Sequence, residues 1–481
     1  MISMSLKEIS TAIAAEVKFA DLESRVTGKV VIDSRKVSPG DLFVAIKGEN
    51  VDGHDFAAQA IKQGAIAVIS DKEIPGVASL IVTQGNSNSK EVDQPTVIAL
   101  GKLAKYLLQR LPNLWKVAVT GSSGKTTTKD LLAELGKLVG PTVAPIGSYN
   151  NEIGLPQTVL ECDENTQVLI LEMGARQVGN IKHLCEIAKP DTSIILNIGT
   201  AHAEIFTSPE KIFQAKSEII DCLTSTDVAI LNHEDSRFAQ HKTKAKVISF
   251  GLTGSNVSAS NVILNENAQA QYEMEYEGKT SLVNLKLIGA HQVSNSLAAA
   301  AAFLQKGIAI EDISKVLSNA TPKSKWRLQI EKSKNNVTVI NDVYNANPES
   351  TKSAIKTLKQ IGEDKNTFAI LGEMRELGNL SKQLHEEVAA LIQKLEIKNT
   401  LIIGNGAKPI YDYLLTHEYS GKLLFVESVD SALVKAKEII QTNDVVLVKA
   451  SRSVGLERVA NAIVQDFSDN LTNNSNQEVG L

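Results

Sequence analysis

Residues 117–130, VAVTGSSGKTTTKD, decide how the middle of this chain folds. An apolar strand pattern, VAVT, runs straight into Gly121 and Gly124, and a helix then opens on Lys125, Thr126 and Thr127. Glycines let backbone amides turn toward an anion, and a helix N-terminus adds partial positive charge. A lysine there offsets phosphate charge, and a threonine hydroxyl can ligate magnesium. Gly121, Ser122, Ser123, Gly124, Lys125, Thr126 and Thr127 together therefore read as a phosphate cradle. The usual phosphate loop needs a further glycine six residues before the lysine; Val119 stands there, so the loop is a variant. A plain strand-to-helix turn is the weaker reading, because a lysine followed by three threonines at a helix start has little structural purpose.

Outward from this loop, buried-strand runs recur as QVLILEMG, TSIILNIG, DVAILN and KVISF, spaced for intervening helices. That rhythm predicts a parallel sheet covered on both faces. Residues 269–290 break it, alternating around an EGK turn as an antiparallel hairpin at the sheet edge, and an Ala-rich helix is expected over roughly 291–306. Toward the N-terminus, the runs VVID, DLFVAI, AIAVIS and SLIVT surround one helical pattern, HDFAAQAIKQG, and a further helix stops at Pro112. After Pro322 a third series, TVINDVY, TFAILGEM, NTLIIGN, LLFVES and DVVLVKAS, has the pattern of a doubly wound sheet.

The expectation is an α/β protein of three domains. They are a small N-terminal α/β domain (1–111), a central parallel-sheet ATPase-like domain (112–320) and a C-terminal Rossmann-like domain (321–481), with a polar, frayed tail. A chain of 481 residues accords with that count. Residues 319–324, NATPKS, have the composition of a hinge.

Composition narrows the function. Lys plus Arg number 50 against 55 Asp plus Glu, a net charge of -5, without the basic excess that nucleic-acid binding requires. The longest wholly apolar stretch, Leu297–Leu304, is far too short to cross a bilayer. Lys7 and Glu8 stand where a secretory signal would turn apolar, so a cytoplasmic protein is expected. Three cysteines, Cys162, Cys185 and Cys222, lack CxxC spacing and read as structural thiols.

Two further segments carry chemistry. In LILEMGARQVGN, Glu172 ends an apolar strand at the carboxyl edge, where open α/β sheets bind ligands, and such a carboxylate can hold a metal. In IILNIGTAHAEIF, His202 follows the next strand on the same edge. A lone histidine is an ordinary residue more often than a ligand, but this shared edge favours the ligand. Lys216, in FQAKSEII, reads by itself as a solvated lysine.

TGSSGKTTT, NNEIGLP (150–156), LEMGA, His202, Lys216 and GAHQVSNSLAA (289–299) stand in the order found in the Mur ligases, which the chain resembles over nearly its whole length. DSRKVSPGDLFVAIKGENVDGHDF (33–56), NDVYNANPES (341–350), LGEMRELG and KASRSVGLERV extend the likeness. NNEIGLP, YNANP and LGEMRELG look most like the branch that adds D-alanyl-D-alanine.

The resemblance implies an ATP-dependent, magnesium-requiring amide ligase, with UDP-N-acetylmuramoyl-tripeptide and D-alanyl-D-alanine as substrates and a monomeric state. A single-amino-acid sibling ligase and a non-catalytic ATP-binding scaffold are the alternatives. It further implies that Lys125, Thr126 and Thr127 bind phosphate, and that Thr126, Glu172 and His202 serve the metal. Lys216 would be carboxylated to a metal-bridging carbamate, and Lys125, His202 and Lys216 would be catalytic. Asn295, Arg327 and Asp342 would contact the nucleotide. Ser34, Arg35, Lys47 and Gly48 would hold the uridine diphosphate, making 1–111 the precursor-binding domain. Asn150, Asn151, Asn345 and Asn347 would face substrate, with the C-terminal domain on the amine side. Two departures stand out: Gln292 replaces the usual Asn after His291 and is left out of the site, and Trp326 replaces a frequent Gly before Arg327.

Overall fold

The computed structural model describes residues 1–85, 93–200, 203–206 and 208–466, with nothing described for the side chain of residue 203. His202 and the tail beyond residue 466 lie outside them. The architecture is α/β, with three main sheets. The N-terminal sheet has five strands, in the order Glu16–Lys18, Ser79–Ile81, Ala67–Ser70, Leu42–Val44 and Val30–Val31; all pair in parallel except the first. The edge strand Glu16–Lys18 is polar in sequence and escapes the apolar-run criterion.

The central sheet has nine strands. Trp115–Thr120, which feeds the cradle, lies between Val168–Glu172 and Thr192–Ile195, both parallel to it. Val228–Asn232 and Lys246–Gly251 continue the parallel run. The break comes earlier than the sequence suggests. Val257–Leu264 pairs in parallel with Lys246–Gly251 and antiparallel with Gln269–Tyr276, so it turns the sheet from one mode to the other. Its pattern, VSASNVIL, is half polar and is interrupted by a register shift between Ser260 and Ile263, which hides the strand from a period-two reading. The expected hairpin follows, Gln269–Tyr276 against Lys279–Ile288, with Glu277 (φ 51°) and Gly278 (φ 75°) both left-handed, as a tight two-residue hairpin turn requires.

The C-terminal sheet places Val445–Lys449 between Thr338–Asn341 and Thr367–Leu371, with Asn399–Ile403 and Lys422–Val426 beyond. All five strands read from sequence are present and parallel, and an unexpected antiparallel strand, Gln329–Lys332, covers one edge. Two separate apolar clusters cover its two faces.

Packing explains how the parts stay in register. One apolar cluster runs without interruption from Ile2, Leu6 and Leu42 through Leu103 and Leu107 to Leu169 and Leu171, so the N-terminal segment and one face of the central sheet share a core. On the other face lies the helix His291–Leu304, whose residues Leu297–Phe303 are all solvent-inaccessible. A helix apolar all round is a buried one, and its alanines let backbones approach closely. Among the described residues, no helix is long and apolar enough to cross a membrane, and the three cysteines are unpaired.

Candidate active site

A cavity of about 2420 Å³ opens at the carboxyl edge of the central sheet and is walled by all three parts of the chain. The strand Trp115–Thr120 delivers the cradle to its floor. The helix Lys125–Gly136 starts at Gly124 (φ +82°), and no side chain caps it, so its first turn presents amides to the cavity. Gly124 is required twice over: its conformation is left-handed, and a Cβ there would lie 2.4 Å from Asn295 Oδ1. The loop is braced from the neighbouring strand end. Ser123 N donates to Asn197 Oδ1 (3.0 Å), Ser122 N to the Asn197 carbonyl (3.1 Å), and Gly199 N to Ser122 Oγ (2.9 Å). Lys125 donates to the Gly121 carbonyl at 2.7 Å. Burial pushes the Lys125 pKa below its ordinary value; the Glu172 carboxylate opposes that shift and the Arg327 guanidinium adds to it.

Glu172 is 1% exposed. Its Oε1 accepts from Asn150 Nδ2 (2.7 Å), while Oε2 is buried without a partner among the described residues. The Thr126 hydroxyl is 3.1 Å from that of Ser148, to which Arg327 Nη2 also donates at 3.1 Å. Asn151 instead accepts from Gly154 N (2.9 Å) and starts a short helix. Lys216 is wholly buried in the helix Pro209–Asp221; burial first, and the nearby Lys125 charge second, push its pKa well below the ordinary lysine value. Neither Gly121 nor Lys216 lines the cavity itself.

The C-terminal part closes the opposite wall. Trp326 (φ +62°) and Leu328 (φ +49°) both hold left-handed backbone around Arg327, which accounts for a position where glycine suits better. Arg327 stacks on Tyr344, 4.1 Å from the ring centre, and its Nε is buried without a partner. Asp342 accepts from Leu328 N (3.1 Å) and from Lys449 Nζ (2.6 Å), and Lys449 also donates to the Asn345 carbonyl (2.8 Å). Asn347 caps the helix Pro348–Ile361 through Ser350 N, and its Nδ2 reaches the Ser122 carbonyl at 3.4 Å. Glu349 Oε1 accepts from both the amide and the hydroxyl of Thr200, at 2.8 and 2.9 Å. Asn345 is exposed on the cavity wall.

The N-terminal part supplies the third wall. Ser34 is nearly buried; Arg35 forks onto Asp33 through two bonds of 2.9 Å, an ion pair that holds the Asp33 carboxyl below its usual value. Lys47 exchanges two backbone hydrogen bonds with the Gln94 amide (3.0 and 2.9 Å), and Gly48 N donates to the Val51 carbonyl (2.9 Å).

Sequence reasoning leaves out Asn197, Ser148, Glu349 and Lys449. Asn197, Glu349 and Lys449 stood inside quoted motifs; for Asn197 and Lys449 a polar residue at a strand end was the available signal, and for Glu349 an acidic residue in the first turn of a helix. Gln292 also belongs to the site: it lines the cavity and accepts from Asn295 Nδ2 at 2.9 Å. Its neighbour His291 bonds to Ser353 through Nδ1 (2.8 Å), and burial pushes its pKa down to about 4.

Comparison with known proteins adds three family matches. They are the Mur ligase family catalytic domain over residues 28–107, the Mur ligase middle domain over 119–303, and the Mur ligase glutamate ligase domain over 326–452. The UDP-N-acetylmuramoyl-tripeptide--D-alanyl-D-alanine ligase of Mycobacterium tuberculosis H37Rv is 35% identical over 97% of this chain and 98% of its own length. The enzyme of that name from Bacillus subtilis 168 is 32% identical over 97% and 99%. Among solved structures, MurF from Acinetobacter baumannii superposes with a TM-score of 0.85 at 30% identity, covering 96% of this chain and 98% of its own. MurF ligase from Thermotoga maritima in complex with ADP does so at 0.78 and 30%, covering 92% and 98%.

Proposed function

The chain belongs to the Mur ligase family, and we propose that its three-walled cavity is the site where it works. It is an ATP-dependent ligase that adds D-alanyl-D-alanine to UDP-N-acetylmuramoyl-tripeptide, forming an amide in peptidoglycan synthesis. The observation that carries the assignment of the site is that an uncapped phosphate-loop helix, the Ser34–Lys47 region and the YNANP segment all line one cavity.

In this reading the γ-phosphoryl group of ATP passes to the terminal carboxylate of the tripeptide, and the amine displaces phosphate from the resulting acyl phosphate. Like charges must meet for the first step, so the protein's task is electrostatic. The amides of the uncapped helix and the Lys125 ammonium offset the phosphates. Arg327 and Asp342 hold the nucleotide from the C-terminal side, with Gly124 and Asn295 framing it from the other. Ser34, Arg35, Lys47 and Gly48 hold the uridine diphosphate, and for this Arg35 must share its fork with Asp33 or leave it. Asn150, Asn151, Asn345 and Asn347 contact the peptide ends. Closure of the walls around the bound substrates would exclude water that hydrolyses the acyl phosphate.

Magnesium fits the residues present: the unpartnered Glu172 Oε2 and the Thr126 hydroxyl are hard oxygen donors beside the cradle. When bound, the ion would neutralise phosphate charge there. His202 would join these ligands. Lys216 as an ammonium would repel the ion; its lowered pKa favours the neutral amine that carboxylation requires, and the carbamate would present two oxygens.

A monomer is the proposed state, and ATP with a nucleotide-linked precursor supports a cytoplasmic reaction. Phosphate release with UDP-muramoyl tripeptide, ATP and a panel of amines tests the reading. Release is expected with D-alanyl-D-alanine; preference for a single amino acid would identify a sibling activity, and release without any amine would sink the acyl-transfer reading.

A further inference from the structure

The reaction needs a receptor for the incoming amine, and this inference deepens the reading above and rests on it. Glu349 is the second residue of the helix Pro348–Ile361 and lies on the cavity wall. Its two oxygens are used unequally. Oε1 accepts twice from Thr200, whereas Oε2 is buried and has no hydrogen-bond partner among the described residues. A carboxylate oxygen that has left water without gaining a donor is unfavourable, so such an atom in a cavity wall marks the place of a missing donor.

Two donors of the same cavity wall are already engaged. Lys449 is spent on Asp342 and the Asn345 carbonyl, and Asn347 Nδ2 reaches the Ser122 carbonyl. Of the other carboxylates on the cavity wall, Asp342 has both oxygens occupied, by the Leu328 amide and Lys449, and the free Oε2 of Glu172 is the one given to magnesium above. The carboxylate lies flat against Gly199, where a Cβ would meet Glu349 Cδ at 2.7 Å, and Gly199 N donates to Ser122 Oγ in the cradle. One hydrogen-bonded residue therefore separates Glu349 from the loop that holds the phosphates.

We propose that Glu349 Oε2 receives the terminal ammonium of D-alanyl-D-alanine and holds it at the seam between the cradle and the C-terminal domain. Thr200 fixes the carboxylate from the central-domain side, so the amine is presented on the face where the acyl phosphate forms. Charge, not only hydrogen bonding, does the holding.

Glu349→Gln separates the two, because its Oε1 still accepts from Thr200 while the anion is lost. In the full-length enzyme with saturating ATP and UDP-tripeptide, Glu349→Gln should raise the KM for D-alanyl-D-alanine about tenfold or more. The KM for ATP and the half-saturating magnesium concentration should stay within about twofold. Glu349→Asp keeps the charge and should fall between, covering the case in which Glu349→Gln melts early. Propionyl-D-alanine, which lacks the amine, should inhibit wild type and Glu349→Gln equally. An unchanged dipeptide KM in Glu349→Gln overturns the proposal. So does a rise in magnesium requirement alone, which would make Glu349 a metal ligand, or a rise in ATP KM alone, which would make it only a clasp on the cradle. Failure of the wild type itself to release phosphate with the dipeptide overturns the functional reading, and this inference with it.

Discussion

Lys449 and Lys216 are buried to nearly the same depth, 2% and 1% exposed, in two different domains, yet their surroundings are opposite. Lys449 ends a C-terminal strand and is neutralised by Asp342 at 2.6 Å, with the Asn345 carbonyl taking a second hydrogen. Lys216 sits mid-helix in the central domain, and the charge that adds to its downward pKa shift is another cation, Lys125. Both clear water from a hydrated ammonium, but only Lys449 receives full compensation. The difference teaches that burial alone does not decide whether a lysine's charge is compensated. The sign of the neighbouring charge does.

The largest test removes the compensated member. Lys449→Met leaves Asp342 buried without its cation, and the cost should be about 3–5 kcal/mol of stability, read as a large fall in thermal or urea midpoint. A midpoint within error of the wild type would mean that the pair is not compensating, and the contrast would collapse. Second, Lys125→Ala removes the charge that acts on Lys216 and that is proposed to face the phosphates; turnover should fall on the order of a thousandfold with little change in melting. Near-normal phosphate release would break the cradle assignment.

Third, Lys216→Ala should lower turnover on the order of a hundredfold. Stability should be equal or higher, because an uncompensated buried amine is lost, and short-chain carboxylic acids should restore part of the activity. Rescue by amines instead would show that a cation is needed there. The smallest effect is on pH dependence. The native pKa of Lys216 is depressed, so the folded state binds fewer protons than the unfolded state between that value and the ordinary 10.5. Native stability attributable to this residue therefore rises with pH across that window. In bicarbonate-free buffer, the melting advantage of Lys216→Met over wild type should shrink as pH climbs toward 10.5. A constant difference would mean that Lys216 is charged when folded.

The same contrast explains how far reading the chain could go. The stretch TGSSGKTTT is contiguous, and its reading as a phosphate cradle rests only on residues that adjoin one another. Lys216 was not legible in that way: FQAKSEII is an ordinary helix face, and family likeness alone drew attention to it. Lys449 was visible as the end of an apolar strand, but its partner lies 107 residues away. Glu349 and Thr200 are 149 residues apart, and Arg327 and Ser148 are 179 apart. No periodicity encodes such pairs. Val257–Leu264 and Gln329–Lys332 were missed for a related reason: both are partly exposed strands, whose residues need not be apolar.

What the amino-acid order determined by itself was local and periodic. Apolar runs with short glycine-bounded ends specify buried parallel strands, an EGK turn specifies a hairpin, and a glycine pair before Lys-Thr-Thr-Thr specifies a strand-to-helix turn with an uncapped helix start. What only the tertiary structure decided was which distant groups meet: the Asn197 brace, the left-handed Trp326 and Leu328 on either side of Arg327, and the two unequal oxygens of Glu349. The physical reason is range. Backbone sterics and side-chain periodicity act over a few residues, whereas desolvation and charge pairing act over ångströms of space that chain separation does not measure.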